Sequence, residues 1–245
     1  MIQINELFRS IQGEGLHAGR MMQFVRFFGC NLDCSWCDQP DALTTRPQHH
    51  YRDMEAAEIA QVVTENHISV PVCITGGEPT FQRQGLIELW SEIRIQDDDR
   101  HNEGDRLITI ETNGTGYVNE ISSSGGIFIS CSPKFLNVQT DGRIKAHGES
   151  DVIQWINSLV PMQLKFVVES AEMFEKLFDW SCRVVPKSRR RAMPLIFQPE
   201  WFKGKADFKT TIQKYSDPQT YDRLAKEGFK SVTFQPQAHK LLAIH

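Results

Sequence analysis

Three cysteines share the stretch Gly29-Cys30-Asn31-Leu32-Asp33-Cys34-Ser35-Trp36-Cys37-Asp38, where their spacing is Cys-x3-Cys-x2-Cys. Thiols this close in sequence converge on one metal centre only if the backbone curls around it, and the turn-forming residues between them favour such a loop. Thiolates are the ligands that iron–sulfur clusters select. Because a 4Fe–4S cluster needs four ligands, three thiolates leave one iron open to a substrate or cofactor, as an open position does in catalytic metal sites.

The same spacing is compatible with two other arrangements. One is a structural zinc site with a fourth ligand from His17, His49 or His50. The other is a disulfide between two of the cysteines, with a spare thiol. The preference of iron–sulfur clusters for thiolate ligands favours the cluster over both.

The composition is that of an ordinary globular protein. The chain has 245 residues and a net charge of -4, which fits a single domain over 1–245 with the cluster loop at 29–38. The slightly acidic balance argues against direct binding of nucleic acid. No apolar run is long enough to span a membrane, and three scattered cysteines beside three clustered ones indicate a reducing compartment. We therefore expect a cytoplasmic protein.

Apolar runs with the period of strands alternate with runs that have the period of helices. This alternation predicts βαβ units and a mainly parallel sheet, and therefore an α/β fold. We expect strands over 2–8, 21–28, 70–75, 107–110, 126–131, 163–168, 194–198 and 231–235. We expect helices over 53–66 with Asp53 as N-cap, and over 85–95, 150–159, 171–178 and 220–227. The acidic, polar run 96–105 is expected to be a surface loop, and the basic run 188–191 a solvated loop.

Polar or glycine-bearing motifs follow three successive predicted strands. They are Gly76-Gly77-Glu78-Pro79, Glu111-Thr112-Asn113-Gly114-Thr115 and Ser132-Pro133-Lys134. The carboxyl ends of parallel strands meet at one edge of a sheet or barrel, where such folds bind their ligands. The recurrence predicts a binding site at this edge.

Two features of the first hairpin point to the same site. Ser10-Ile11-Gln12-Gly13-Glu14-Gly15 is a polar turn whose glycines would let the backbone approach a ligand closely. Arg26 interrupts an apolar strand, and an unpaired charge there would be very costly. We therefore expect Arg26 to pair with Glu14 or with an anionic substrate.

The cysteine spacing, together with the glycine motif about forty residues later, resembles the radical S-adenosylmethionine (SAM) superfamily. More specifically, nearly the whole chain resembles the 7-carboxy-7-deazaguanine synthase family. The resemblance is carried by the motifs named above, by Phe24-Val25-Arg26, by Gln198-Pro199 and by Gln237-Ala238-His239-Lys240. The opening Ile-Gln-Gly-Glu-Gly is its most specific part, because generic radical SAM enzymes lack it.

The resemblance implies a role for each matching residue. Cys30, Cys34 and Cys37 would hold the 4Fe–4S cluster. The expected SAM-binding residues are Trp36, Cys37, Asp38, Gly76, Gly77, Glu78, Glu111, Ser132, Pro133 and Lys134. The expected substrate-binding residues are Ile11, Gln12, Gly13, Glu14, Arg26 and Thr75.

The family's fold and chemistry follow from the same resemblance. The fold would be a partial, TIM-like (β/α) barrel. The reaction would convert 6-carboxy-5,6,7,8-tetrahydropterin to 7-carboxy-7-deazaguanine, a precursor of queuosine, by ring contraction with loss of ammonia. A flavodoxin or ferredoxin would donate the electron, and the protein would be a homodimer.

One position departs from the family pattern. Many members follow the Cys-Asp pair with Thr or Ser as a Mg²⁺ ligand, whereas this chain has Gln39. An amide oxygen can bind Mg²⁺, but the longer side chain would shift or displace the ion, so the sequence leaves the Mg²⁺ requirement open.

Two other functions are compatible with the cysteine loop. A glycyl-radical-enzyme activating protein shares it but lacks the Ile-Gln-Gly-Glu-Gly opening. A non-enzymatic metal-binding module would leave the strand-end motifs without a purpose.

Overall fold

The computed structural model describes residues 1–34, 37, 39, 51–65, 70–99, 106–123, 125–135, 144–199, 213 and 217–238. These residues form one nine-stranded sheet with the order β3-β1-β2-β4-β5-β6-β7-β8-β9. Its strands are β1 Ile2–Ile11, β2 Met21–Phe27, β3 Arg52–Met54, β4 Val72–Gly76, β5 Ile108–Thr112, β6 Ile127–Cys131, β7 Met162–Val168, β8 Leu195–Pro199 and β9 Val232–Phe234. Strand β1 is antiparallel to β2 and β3, and all neighbours from β2 to β9 are parallel.

Helices connect the parallel strands. They are α1 Ala56–Thr64, α2 Arg83–Asp99, α3 Asn119–Ser122, α4 Glu149–Asn157, α5 Ala171–Val184, α6 Lys187–Arg190 and α7 Pro218–Lys226. Short 3-10 helices cover Gly15–His17 and Pro79–Gln82. Ser170 precedes helix α5 as its N-cap, and its hydroxyl accepts a hydrogen bond from the Met173 N–H in the first turn.

The two faces of the sheet differ in chemistry. Val25, Ile74, Ile110, Leu164 and Phe197 belong to the main hydrophobic core, which the helices cover. Since side chains alternate along a strand, the intervening residues face the opposite side. Strand register aligns several polar residues on that inner face: Arg26 with Thr75, Glu111 with Ser130, and Ser130 with Gln163. The inner face of the sheet therefore carries a group of polar side chains, and its outer face packs apolar side chains against the helices.

The sheet remains open between β3 and β9, because these are its two outer strands. An open, twisted, mainly parallel sheet with helices on its outer face is a partial (β/α) barrel, which confirms the predicted fold class. In the described part of the chain, every helix is too short or too polar to cross a membrane.

Three local predictions were wrong. Asp53 does not cap a helix, because it lies in β3 and pairs with Gln3 of β1; Glu55 takes the N-cap position instead. The run 96–105, expected as a surface loop, continues helix α2 as far as Asp99. Ser188–Arg191, expected as a solvated loop, lies largely in α6, where Arg190 is buried against Glu227 at 2.6 Å. The remaining predicted strands and helices are confirmed with small shifts at their ends.

Candidate active site

The cluster loop follows β2 and carries three half-buried, free thiols, those of Cys30, Cys34 and Cys37. The disulfide alternative is therefore wrong. Burial raises the pKa of the Cys30 thiol to about 11 and raises the pKa of Cys34, although the nearby Lys134 ammonium opposes the latter shift. Metal binding at these thiols has to displace protons.

Hydrogen bonds tie this loop to the ends of two strands. The Asn31 side-chain amide donates to Thr115 Oγ1 at 2.8 Å, and Asn31 Oδ1 accepts from the Asn113 amide at 3.0 Å. The Glu78 N–H donates to the Gly29 carbonyl at 2.8 Å. A side chain at Gly77 would clash, since its Cβ would lie 2.2 Å from that same carbonyl oxygen. The glycine pair after β4 thus permits close contact with the cluster loop.

The side chain of Glu78 is fully buried under this edge. Its carboxylate accepts hydrogen bonds from the Thr80 N–H and hydroxyl, the Thr112 hydroxyl and the Asn113 N–H, at 2.6–3.1 Å. Burial nevertheless raises the pKa of Glu78. These contacts join the end of β4 to the end of β5, beneath the cluster loop.

A second carboxylate, that of Glu111, lies on the inner face. Its two oxygens accept hydrogen bonds from the Gln12 amide at 3.2 Å and from the Thr75 hydroxyl at 2.8 Å. Gln12 also donates to Cys73 Sγ at 3.7 Å. Glu111 was expected beside SAM, but the structure groups it with two residues that were expected to contact the substrate.

Glu14 reaches the same interior from the loop after β1. Its carboxylate forms an ion pair with Lys165 of β7 and accepts a hydrogen bond from the Gln237 amide at 2.6 Å. Lys165 also lies 3.8 Å from Glu111 Oε1. The first-hairpin loop is thus joined to β5, to β7 and to the segment after β9.

Arg26 pairs with Glu6 of the neighbouring strand, with Nε 3.4 Å from Oε2. Its guanidinium also lies over the Phe8 ring at 5.2 Å from the centroid. The pairing expected with Glu14 is replaced by one with Glu6, while Glu14 binds Lys165 instead. The Arg26 side chain is 12% exposed and shares the inner face with Thr75.

The other predicted positions lie at the end of β6, in the hairpin that joins β1 to β2, or just after the cluster loop. At the end of β6, the Lys134 ammonium donates to the Ser132 hydroxyl at 2.9 Å, beside the buried Pro133. Ile11 ends β1 with its side chain partly exposed, and the Gly13 carbonyl accepts a hydrogen bond from the Ala238 N–H. Gln39 is half-buried. Trp36 and Asp38 lie outside the described residues.

Sequence analysis missed several residues of the inner face. Lys165 and Gln163 are polar residues in a strand that the apolar pattern predicts to be buried. Because they are two positions apart, their side chains lie on the same face, and this spacing was the available sign of a polar inner face. Gln235 and Gln237 contact the first hairpin, a pairing that nothing local in the sequence indicates.

Comparisons with known proteins show the family of this chain. A family model described as the radical SAM superfamily matches residues 24–169. A 7-carboxy-7-deazaguanine synthase of Aquifex aeolicus is 34% identical over 98% of this chain and 93% of its own length. The chain belongs to the 7-carboxy-7-deazaguanine synthase family of the radical SAM superfamily.

Solved structures support the fold of this synthase family. QueE from Escherichia coli superposes with a TM-score of 0.65 and 19% identity, covering 96% of this chain and 93% of that chain. SuiB from Streptococcus suis, solved bound to S-adenosylmethionine, gives a TM-score of 0.53 with 15% identity, covering 84% of this chain and 44% of that chain.

The residues present fit the cofactors of a synthase of this family. The donor set is three free thiols, the soft ligands that iron–sulfur clusters require. Cys30, Cys34 and Cys37 would hold a 4Fe–4S cluster, and the adjoining strand ends form an edge suited to SAM.

Proposed function

We propose that the chain is a radical SAM carbon–nitrogen lyase that converts 6-carboxy-5,6,7,8-tetrahydropterin to 7-carboxy-7-deazaguanine with loss of ammonia. One observation carries the proposal: the cluster loop is tied directly above a polar interior that contains the family's expected substrate residues. Asn31 and Glu78 make the ties, and Gln12, Thr75 and Glu111 form one hydrogen-bonded group below them.

The roles divide between the edge and the interior. When bound, the cluster and SAM supply the radical that starts the ring contraction; the protein supplies binding, orientation and exclusion of water. We assign the three cysteines to the cluster, and the SAM-facing edge to Gly76, Gly77, Ser132, Pro133 and Lys134 with Trp36 and Asp38. Glu78 would position this edge, because its carboxylate is already bound to Thr80, Thr112 and Asn113.

The interior would bind the pterin. A guanidinium suits the substrate's carboxylate, so Arg26 would exchange its partly exposed partner Glu6 for that group. The Glu111 carboxylate and the Gln12 and Thr75 side chains would bind the polar edge of the ring, together with Ile11, Gly13 and Glu14. Burial strengthens each of these hydrogen bonds.

Further properties of the enzyme remain predictions. Gln39 would be the Mg²⁺ ligand if the ion is required. A flavodoxin or ferredoxin would deliver the electron, and the enzyme would work as a single-domain subunit of a homodimer in the cytoplasm.

An anaerobic turnover tests the proposal. The reconstituted enzyme would be given SAM, a reductant and 6-carboxytetrahydropterin, and the products followed by mass spectrometry. We expect 7-carboxy-7-deazaguanine without net loss of SAM. Cleavage of SAM with the pterin untouched would exclude this substrate but keep the radical SAM assignment. Titration of Mg²⁺ against wild type and Gln39→Thr would decide the metal requirement.

A further inference from the structure

Lys165 is a nearly buried lysine at the centre of the polar interior. Its side chain is 9% exposed, and its ammonium binds the Glu14 carboxylate while standing 3.8 Å from Glu111 Oε1. A lysine is rarely buried unless it is paired. Neither the cluster loop nor the motifs that identify the family include this residue.

The two carboxylates come from distant parts of the chain. Glu14 belongs to the first-hairpin loop and Glu111 to the end of β5, and both lie within 4 Å of the same nitrogen. Each also accepts hydrogen bonds from amides or hydroxyls, namely those of Gln237, Gln12 and Thr75. In the part of the chain that the structure describes, Lys165 therefore supplies a positive charge that both carboxylates share.

Electrostatics indicates how the two carboxylates would behave without the Lys165 ammonium. Two carboxylates that share a buried site repel each other, so one of them binds a proton and the pair titrates in two steps. A protonated carboxyl presents a hydroxyl donor where a substrate N–H needs an acceptor. The charge of Lys165 removes that conflict.

We propose that Lys165 is a positioning residue of the reaction: its ammonium keeps Glu14 and Glu111 ionised and oriented as paired hydrogen-bond acceptors for the N–H groups of the pterin. The inference rests on the proposed function, since it presumes that the substrate enters this interior. It assigns Lys165 no contact with the reacting atoms.

Other charged or titratable groups also face this cluster. On β2, Arg26 pairs with Glu6. Burial raises the pKa of Cys73 on β4 well above its usual 9.0. Burial lowers the pKa of His17 below its usual 6.5. Glu6 lies beyond Arg26 and is half exposed. These groups are the same in the wild type and in every Lys165 variant, so a difference between their pH profiles reports the Lys165 substitution.

Substrate binding as a function of pH tests the proposal. Binding of 6-carboxytetrahydropterin would be measured calorimetrically, without oxygen, on reconstituted enzyme with SAM at about pH 6.5, 7.5 and 8.5. We expect Lys165→Met to bind more weakly than wild type at low pH and to recover as pH rises, by up to about tenfold per pH unit. Lys165→Arg keeps the charge and should follow the wild-type pH profile, with some loss of affinity from its different shape.

Controls separate charge from packing. Lys176→Met removes a partly exposed lysine that pairs with Glu172 on the surface of α5, and it should leave both affinity and pH profile unchanged. If Lys165→Met does not fold, Lys165→Gln gives the same comparison, because its amide donates a hydrogen bond without a charge. Adding Glu14→Gln to either variant leaves one carboxylate and should abolish the new pH dependence. The titration of the substrate itself is common to all variants and cancels.

The outcomes are distinct. A wild-type enzyme that does not bind the pterin would refute the proposed function. A wild-type enzyme that binds it, with a neutral Lys165 variant whose affinity changes equally at every pH or not at all, would overturn the role of Lys165 and leave the function standing.

Discussion

Charged side chains inside this barrel are held by partners from other elements of the chain, so each has a defined direction. Arg26 is held between Glu6 and the ring of Phe8. Lys165 is held between Glu14 and Glu111. An unpaired charge in such a place would be costly, and the polarity of the interior is therefore evidence of a binding site.

The first prediction at the scale of single residues concerns Arg26. Arg26→Ala should weaken binding of 6-carboxytetrahydropterin about 10- to 100-fold, because a charge-assisted hydrogen bond is worth about 1.5–3 kcal/mol. Formation of 5′-deoxyadenosine from SAM without substrate should persist. Arg9→Ala, which removes an exposed arginine bonded to Gln23, is the matched control. Unchanged affinity in Arg26→Ala would contradict the assignment.

The second concerns the cluster ligands. Cys30→Ala should yield protein that retains little iron after reconstitution and has no activity, because two thiolates cannot hold the cluster in place. Iron analysis and the visible absorption spectrum measure this directly. Cys182→Ala replaces a half-buried thiol of α5 and should assemble a normal cluster. An active Cys30→Ala enzyme with an intact cluster would disprove the ligand set.

At the scale of elements, the strand ends form one connected structure. Glu78 joins β4 to β5, Asn31 joins the cluster loop to β5, and both connections lie at the carboxyl edge. Thiol positions therefore depend on residues that are not ligands. Loosening any of these connections would move the cluster loop relative to the substrate interior.

Glu78→Gln tests this connection. The amide group would face the Asn113 N–H with a donor, and we expect a loss of about 1–3 kcal/mol in the free energy of unfolding. Because burial raises the pKa of Glu78 in the folded state, the wild type loses this part of its stability as pH rises from about 4.5 toward the raised value. The cost of the substitution should therefore shrink as pH rises.

Urea unfolding of the metal-free protein at several pH values measures this cost. Glu88→Gln, at an exposed position of α2 where Gln84 donates to the carboxylate, is the control. A cost no larger than that of Glu88→Gln would show that Glu78 does not hold the strand ends together.

At this scale it is also clear how much the sequence could predict. The apolar strands and the polar residues after them follow directly from period and turn chemistry, and they place the candidate site at the carboxyl edge, where the structure gathers the cluster loop and the strand-end motifs. Strand β3 was missed because three residues are too few to show a period-two pattern. It forms a strand because it pairs with β1, a contact between distant parts of the chain. Lys165 was missed because an apolar strand pattern does not reveal which face lines a polar interior.

On the scale of the whole molecule, the first-hairpin loop meets the segment that follows β9. Gln235 exchanges two hydrogen bonds with the backbone of Gly15, at 2.9 and 3.0 Å. Gln237 binds Glu14, and the Ala238 N–H donates to the Gly13 carbonyl at 3.0 Å. Contacts between residues more than 200 positions apart cannot be predicted from local sequence, yet they fix the loop that carries Glu14.

Gln235→Ala tests whether these contacts orient the first-hairpin loop. Loss of two hydrogen bonds to a partly buried backbone should cost about 1–3 kcal/mol, and amide exchange at Gly15 should accelerate because its N–H loses its acceptor. Pterin affinity should fall, since Glu14 depends on the same loop, while SAM binding at the opposite edge should be retained. Gln84→Ala, which removes an exposed amide on α2, should change neither quantity. If Gly15 exchanges at the wild-type rate in Gln235→Ala, the loop is held by its contacts with Gln163 and Lys165 of β7. The segment after β9 would then contribute only to the stability of the fold.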